Sequence, residues 1–306
     1  MTNLLITTSS FGEYSTKQLK LLESAGYNIS LNNKGRKLTK SEITEIIPDY
    51  ECVIAGTEDY DKDVLNNALN LKIISRLGVG LDNIDLAIAS EKNIKVTKTE
   101  ISPSTAVAEL TLGLILDLLR KITYQNQMVK KNKWKKKMGY LLNNKVIGII
   151  GLGEIGKEFV RISKGFNLKF LACDLIEDKN FAEKNNIKYC SIEYMISNAD
   201  ILSLHLSMHA NNHNLIDYNK LLKMKSNAII INTSRGGIIN ENDLAMALDN
   251  KIILGAGLDV YNEEPYQGIL TKYDNVITTP HIGSYAIETR NAMELEAAQN
   301  IINYLN

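Results

Sequence analysis

Neither charge is in surplus. Lysine plus arginine and aspartate plus glutamate each count 35 among the 306 residues, so the balance gives no reason to expect a nucleic-acid or membrane partner. Long apolar runs are missing too: no stretch approaches the roughly 20 residues that a spanning helix needs. The opening MTNLLITTSS has neither the basic segment nor the apolar core of a secretory signal, and a cytoplasmic location is expected. Cysteine is scarce. Cys52, Cys173 and Cys190 are odd in number, lie in three strand-like contexts and make no C-x-x-C spacing. They are read as reduced core thiols, with no disulfide or zinc site expected. What is present, 44% hydrophobic and 23% charged residues, is ordinary globular composition, enough for two α/β domains with substantial cores.

The chain is organised around KVIGIIGLGEIGKEFVRISKGFNLKFLACD, from Lys145 to Asp174. Val146 to Ile150 is a short, apolar, β-branched run, the signature of a strand buried on both faces of a parallel sheet. Gly151, Gly153 and Gly156 follow at G-x-G-x-x-G spacing. The first lets the strand turn, the second lets backbone approach a pyrophosphate, and the third lets the helix pack closely on the strand. The phosphates would sit at the N-terminus of the helix from Ile155 to Lys164, with Glu154 and Ile155 among the expected cofactor contacts, because unpaired N–H groups and the dipole there favour negative charge. A second strand, Leu168 to Ala172, leads to Asp174, placed to accept hydrogen bonds from an adenosine ribose and to repel a 2′-phosphate. The expected cofactor is NAD rather than NADP. A glycine turn with Asp174 as a solvated strand end is the plain alternative, and the strand, helix and acid in order argue against it.

Strands and helices alternate before and after this segment. Runs at Leu4 to Thr7, Ile29, Cys52 to Ala55, Lys72 to Arg76 and Ile94 to Thr97 read as strands of a first parallel sheet, separated by helices. Strands are then expected near 187–189, 201–204, 228–232, 255–258 and 276–278. The expected architecture is α/β with two doubly wound parallel-sheet domains. Pro103 to Ile122 reads as a helix apolar on nearly every face, buried between domains or against another subunit. The basic segment after it, MVKKNKWKKKMGYLL, holds the single tryptophan, Trp134. It is read as a subunit-contact arm rather than a solvated surface strand of chain. A last helix, Ser284 to Asn306, has no strand left to pair with in the second sheet and is expected to return to the first domain.

Three motifs follow strand ends, where ligands bind in open parallel sheets. NTSRGG presents Arg235, whose planar fork suits a carboxylate. DVYNEEP carries two adjacent acids, and TTPHIGS carries His281 at a strand-to-helix turn. Singly they read as a surface arginine, an acidic loop and a helix-capping histidine. Together they form a kit for hydride transfer at a 2-hydroxy acid. His281 would take the hydroxyl proton or return it to the carbonyl, Glu264 would orient the imidazole and favour its protonated form, and Arg235 would bind the carboxylate and polarise the C2 oxygen. His205, His209 and His213 fall in an asparagine-rich loop, and no metal is expected.

Through GLGEIG, NTSRGG, DVYNEEP, TPHIGS and SRLGVGLDNID the sequence resembles the D-isomer-specific 2-hydroxyacid dehydrogenase family along essentially its whole length. Within that family it is similar to the catalytic half of the D-3-phosphoglycerate dehydrogenases. The resemblance implies a Rossmann NAD domain, residues 99–285, inserted in a flavodoxin-like, discontinuous substrate domain, residues 1–98 and 286–306, with a cleft that closes on substrate and a homodimer. It implies Arg235, Glu264 and His281 as the catalytic set, backbone at Gly78 and Val79 together with Arg76 on the substrate, and Thr233 and Asp259 beside Asp174 on the cofactor. Phosphoglycerate dehydrogenases carry an arginine just after the strand that is Cys52 to Ala55 here; this chain has AGTEDY, with Glu58 and Asp59. Pro103 stands where many relatives have asparagine. Arg76 is retained, and Lys135 to Lys137 resemble an arm reaching a neighbouring active site. The expected reaction is interconversion of 3-phospho-D-glycerate and 3-phosphohydroxypyruvate. The alternatives are reduction of hydroxypyruvate, glyoxylate or another 2-keto acid, and, from another class, an NAD-sensing binding protein without turnover. A regulatory domain and feedback by serine are not expected.

Overall fold

The computed structural model describes residues 1–305, which fold into two compact units, residues 1–103 with 284–305 and residues 104–283. The first unit holds β1 (Thr2–Ile6), α1 (Lys17–Ser24), β2 (Tyr27–Leu31), α2 (Lys40–Ile46), β3 (Cys52–Ala55), α3 (Lys62–Asn67), β4 (Ile73–Arg76), α4 (Leu86–Glu91) and β5 (Lys95–Lys98). Every pairing is parallel and the strands lie in the order β2-β1-β3-β4-β5, the flavodoxin-like arrangement. β3 shows why CVIA is continuously apolar: Val53 and Ala55 face one hydrophobic cluster, Cys52 and Ile54 the other, and all four are buried. Helix starts are fixed locally. Thr39 and Glu42 form a capping box on α2, and Asp61 and Asp85 cap α3 and α4 through their carboxylates.

The second unit holds α5 (Ser104–Arg120), α6 (Ile122–Lys130), β6 (Val146–Ile150), α7 (Glu154–Ser163), β7 (Lys169–Cys173), α8 (Lys179–Lys184), β8 (Ile187–Tyr189), α9 (Ile192–Asn198), β9 (Ile201–Leu204), α10 (Tyr218–Leu221), β10 (Ile229–Asn232), α11 (Glu241–Asp249), β11 (Gly255–Leu258) and β12 (Val276–Thr278). Its seven parallel strands run β12-β11-β10-β9-β6-β7-β8. From β6 the chain winds outward one way through β7 and β8, then returns to β9 and winds the other way. The order therefore reverses between β6 and β9, the switch point at which a Rossmann sheet opens a crevice beyond its strand ends.

The final helix, α12 (Ile287–Leu305), belongs to the first unit. Met293, Ala297, Ala298 and Ile301 pack with Leu4, Ile6, Cys52 and Ile54. Ser75 Oγ donates to the Ala297 carbonyl at 3.0 Å, and the Glu296 carboxylate accepts the amides of Glu100 and Ile101 at 2.8 and 3.0 Å. The sequence places this helix from Ser284 to Asn306; it starts at Ile287, and Asn306 lies outside the described residues.

The expected helix from Pro103 to Ile122 is α5, and α6 is a further helix beyond it. Lys121 takes the left-handed conformation, φ +57°, and breaks α5 from α6. Burial follows one face of α5, with Ala108, Leu114, Ile115, Leu118 and Leu119 in the core cluster. Glu109 and Gly113 are exposed, and Leu112 and Leu116 are half-buried. Residues 131–141 beyond α6 are exposed and without regular structure until Leu142 enters the core.

Candidate active site

The three glycines of the turn after β6 each have a different steric reason. Gly151 has φ +93°, and a Cβ there would come within 2.2 Å of the His205 carbonyl oxygen. A Cβ on Gly156 would meet the Gly151 carbonyl at 2.5 Å, which is how α7 packs tightly on the end of β6. Gly153 faces open space and stands at the N-cap of α7, which has no side-chain cap. The first-turn amides of α7, over Glu154, Ile155 and Gly156, are therefore open to an anionic group from outside the chain. The turn is stitched to β7: Gly151 N donates to the Cys173 carbonyl at 2.9 Å, and Leu152 N to Asp174 Oδ2 at 2.6 Å. Asp174 Oδ1 also accepts Ile176 N at 3.2 Å. A carboxylate offers about four lone-pair positions, so acceptor capacity is left for ribose hydroxyls.

At the end of β10, Asn232 is buried and folds the loop that carries Arg235. Its Oδ1 accepts Ser234 N at 3.1 Å and Ser234 Oγ at 2.8 Å, while its Nδ2 donates to the Arg235 carbonyl at 2.8 Å. Thr233 Oγ1 lies 2.9 Å from Thr111 Oγ1 of α5. Gly236 has no alternative, because a Cβ would sit 1.9 Å from the Tyr261 carbonyl oxygen. The Arg235 guanidinium donates to the Ser234 carbonyl through Nη1 at 2.8 Å and remains partly exposed.

Past β11 and β12 the two remaining motifs meet. His281 Nδ1 lies 2.8 Å from Glu264 Oε2, and Glu264 Oε1 accepts Tyr261 N at 3.2 Å. One carboxylate is thus tied both to its own loop and to the imidazole. Tyr261 braces the loop from inside: its hydroxyl reaches the carbonyls of Leu258 and Thr279 at 2.8 and 3.1 Å, and its ring stacks on Tyr266 at 4.1 Å. His281 itself has φ +55°. Asp259 holds that turn, accepting Thr279 Oγ1 at 2.6 Å and Ile282 N at 2.8 Å on Oδ1 and Gly283 N at 2.8 Å on Oδ2. Burial pushes the Asp259 carboxyl above its ordinary range, opposed by these donors and by His281.

In the first unit, Arg76 ends β4 with its guanidinium folded back over the next turn. A Cβ on Gly78, φ +145°, would lie 2.3 Å from Arg76 Nη1. Arg76 also donates to the Leu77 carbonyl and approaches Asn83 Oδ1 at 3.4 Å, and it is buried, whereas Val79 is exposed. Beyond β3, where the sequence has Gly56-Thr57-Glu58, the Glu58 carboxylate is 2% exposed and accepts Thr7 Oγ1 at 2.8 Å. Gly56 makes the room, since a Cβ there would be 2.7 Å from Glu58 Oε2. The buried Tyr60 hydroxyl joins the same group through Thr7, and burial followed by the Glu58 charge pushes its pKa well up.

The histidines of the loop after β9 separate. His205 is half-buried, with Nε2 2.9 Å from Ser203 Oγ, while His209 and His213 lie in the loop beyond. Among the described residues, no group of three or more His, Cys, Asp or Glu could hold a metal ion, and no helix is long and apolar enough to cross a membrane. Reading the sequence singled out the residues that carry charge but not those that shape the loops, namely Asn232, Thr111, Tyr261 and Thr279. Only Asn232 left a signal: an asparagine two residues before a serine at a strand end is the pattern of a side chain closing a turn on its own backbone.

The sequence profile of a family described as "D-isomer specific 2-hydroxyacid dehydrogenase, NAD binding domain" matches residues 112–283. The chain is 34% identical to a glyoxylate reductase of Thermococcus litoralis, with 94% of this chain and 89% of that protein covered. It is 35% identical to a D-3-phosphoglycerate dehydrogenase of Synechocystis sp., with 88% of this chain but 49% of that longer protein covered. Among solved structures, the apo-structure of D-lactate dehydrogenase from Escherichia coli superposes with a TM-score of 0.85 at 27% identity, covering 99% of this chain and 96% of that one. The chain belongs to the D-isomer specific 2-hydroxyacid dehydrogenase family. It is an NAD-dependent oxidoreductase, and its second unit is the NAD-binding domain.

Proposed function

We propose that the protein reduces a short, unphosphorylated 2-keto acid, of the size of glyoxylate or hydroxypyruvate, to the D-2-hydroxy acid. The observation that carries the chemistry is the 2.8 Å pairing of His281 Nδ1 with Glu264, which leaves Nε2 as the ring nitrogen for a substrate oxygen. Arg235 holds the substrate carboxylate through its fork and polarises the C2 oxygen. When bound, NADH supplies the hydride that C2 receives. His281 gives its Nε2 proton to the C2 oxygen as that oxygen gains charge, and Glu264 keeps the ring oriented while it does so. Asp174 reads the ribose and favours NAD over NADP by charge, Thr233 is a further proposed cofactor contact, and Asp259, fully buried, serves the cofactor site by holding the turn around His281. Arg76, Gly78 and Val79 are the proposed substrate contacts of the first unit.

The size of the substrate rests on Glu58. Phosphoglycerate dehydrogenases have an arginine in this segment, and here a buried carboxylate stands there instead. No guanidinium fork stands in this segment to hold a phosphate dianion, and the Glu58 side chain is engaged by Thr7 instead. The phosphorylated substrate remains the second reading, favoured by the exposed lysines Lys135 to Lys137. Initial rates of NADH oxidation with glyoxylate, hydroxypyruvate, pyruvate and 3-phosphohydroxypyruvate at matched concentration separate the two. A kcat/KM for 3-phosphohydroxypyruvate above those of the unphosphorylated acids refutes the first.

The enzyme acts as a homodimer in this reading, through helix 103–122 and the Trp134 arm. Trp134, Met138 and Leu141 are 84%, 90% and 67% exposed in the single chain, an apolar group that a partner subunit would cover. Light scattering that gives the mass of one chain at micromolar concentration excludes it.

A further inference from the structure

We propose that Cys173 and Cys190 form an oxidisable dithiol, whose closure to a disulfide displaces the glycine turn and weakens NAD binding. The register sets the pair. β7 and β8 are parallel neighbours with Ala172 opposite Tyr189, and the ladder continues one step further, Cys190 N donating to the Ala172 carbonyl at 3.0 Å. Cys173 and Cys190 therefore follow as the next pair across the two strand ends, and both side chains pack against the same hydrophobic cluster. Each is partly exposed, so an oxidant can reach it, whereas Cys52 is enclosed in the first unit at 0%.

The geometry is close to what a disulfide needs, without matching it. Neighbouring strands lie about 4.8 Å apart and side chains of a parallel pair point the same way, while the two Cβ atoms of a disulfide lie about 3.8 Å apart. Closure must draw the strand ends together by about 1 Å. Those ends are where the cofactor turn is anchored. The Cys173 carbonyl accepts Gly151 N and the Asp174 carboxylate accepts Leu152 N. Moving Cys173 moves the turn and the acid together.

The reaction needs a two-electron oxidant of the hydroperoxide class. One thiolate attacks a peroxide oxygen, becoming a sulfenic acid as the O–O bond breaks and water leaves. The second thiol then displaces the sulfenic hydroxyl as water and the S–S bond forms. Two thiols lose two electrons and two protons, and hydrogen peroxide becomes two waters. Burial pushes both thiols up, Cys173 further through Asp174 and Cys190 through Cys173 itself. The dithiol is thus slow to oxidise at neutral pH and faster in alkali.

The test uses the full chain treated with hydrogen peroxide at pH 8, followed by non-reducing peptide mapping and NADH titration by fluorescence. The expected result is a cross-link between the peptides of Cys173 and Cys190 and a rise in the NADH dissociation constant of about tenfold, near 1.4 kcal/mol. Dithiothreitol should reverse both, and Cys190→Ser and Cys190→Ala should keep their NADH affinity under the same treatment. Sulfinic acid on either cysteine without the cross-link would overturn the proposal. So would a cross-linked protein with unchanged NADH affinity, or Cys190 variants that lose affinity as much as the native protein.

Discussion

Asp259 and Gly283 are joined by a 2.8 Å hydrogen bond that closes the turn on which His281 stands. The same carboxylate holds Ile282 N and the Thr279 hydroxyl, so one buried acid fixes the backbone on both sides of a histidine in the left-handed conformation. Asp259→Asn keeps the shape but turns one acceptor into an NH2 that faces a donor. The expected outcome is a loss of stability of roughly 1–3 kcal/mol, the cost of a buried group left unsatisfied, and a lower kcat as the His281 ring loses its aim. Chemical denaturation beside steady-state kinetics checks it, and a variant matching the native protein in both would show that the turn holds itself.

Asp174→Asn separates two duties of one side chain. An asparagine oxygen can still accept Leu152 N, so the glycine turn stays anchored. The negative charge that would repel a 2′-phosphate is gone. The ratio of kcat/KM for NADPH to that for NADH should rise by about tenfold or more, since like-charge juxtaposition is worth several kcal/mol. An unchanged ratio would mean that another group reads the ribose.

His205 makes stability depend on pH in a stated direction. Burial lowers its pKa from 6.5 to about 4, so the folded state holds the ring neutral while the unfolded chain takes up a proton as pH falls below 6.5. The stability it costs is nil above pH 6.5 and grows as pH falls towards 4, on the order of 1–3 kcal/mol. Urea unfolding at pH 7.5, 6 and 5 should show a steeper acid loss in the native protein than in His205→Asn. Parallel curves would remove His205 from the acid sensitivity.

The fold was legible because parallel strands buried on both faces must be apolar without interruption, and CVIA and VIGII are bounded at β3 and β6 by the residues the sequence suggests. The end of α5 was legible to within two residues, but α6 as a second helix was not. Its start depends on Lys121 adopting a left-handed conformation that nothing in its side chain requires, and α6 is too polar to show a clear apolar face. At the proposed site, Arg235, Glu264 and His281 stood out because the proposed chemistry calls for those side chains. Asn232 and Tyr261 act on backbone, and a bond from a side chain to a distant carbonyl, such as that of Tyr261 to Thr279, leaves no local pattern to read. Glu58 was visible as an acid but not as a buried one, which Gly56 and Thr7 decide together.

His281 is central to the proposed chemistry, and His281→Asn tests it most directly. Turnover of the preferred keto acid and the NADH dissociation constant should be measured on the same preparation. Loss of the proton donor should lower kcat by about a hundred- to ten-thousand-fold, while NADH affinity stays within a factor of about two because the glycine turn and Asp174 are untouched. Turnover near the native rate would remove His281 from the chemistry and leave its pairing with Glu264 a structural one.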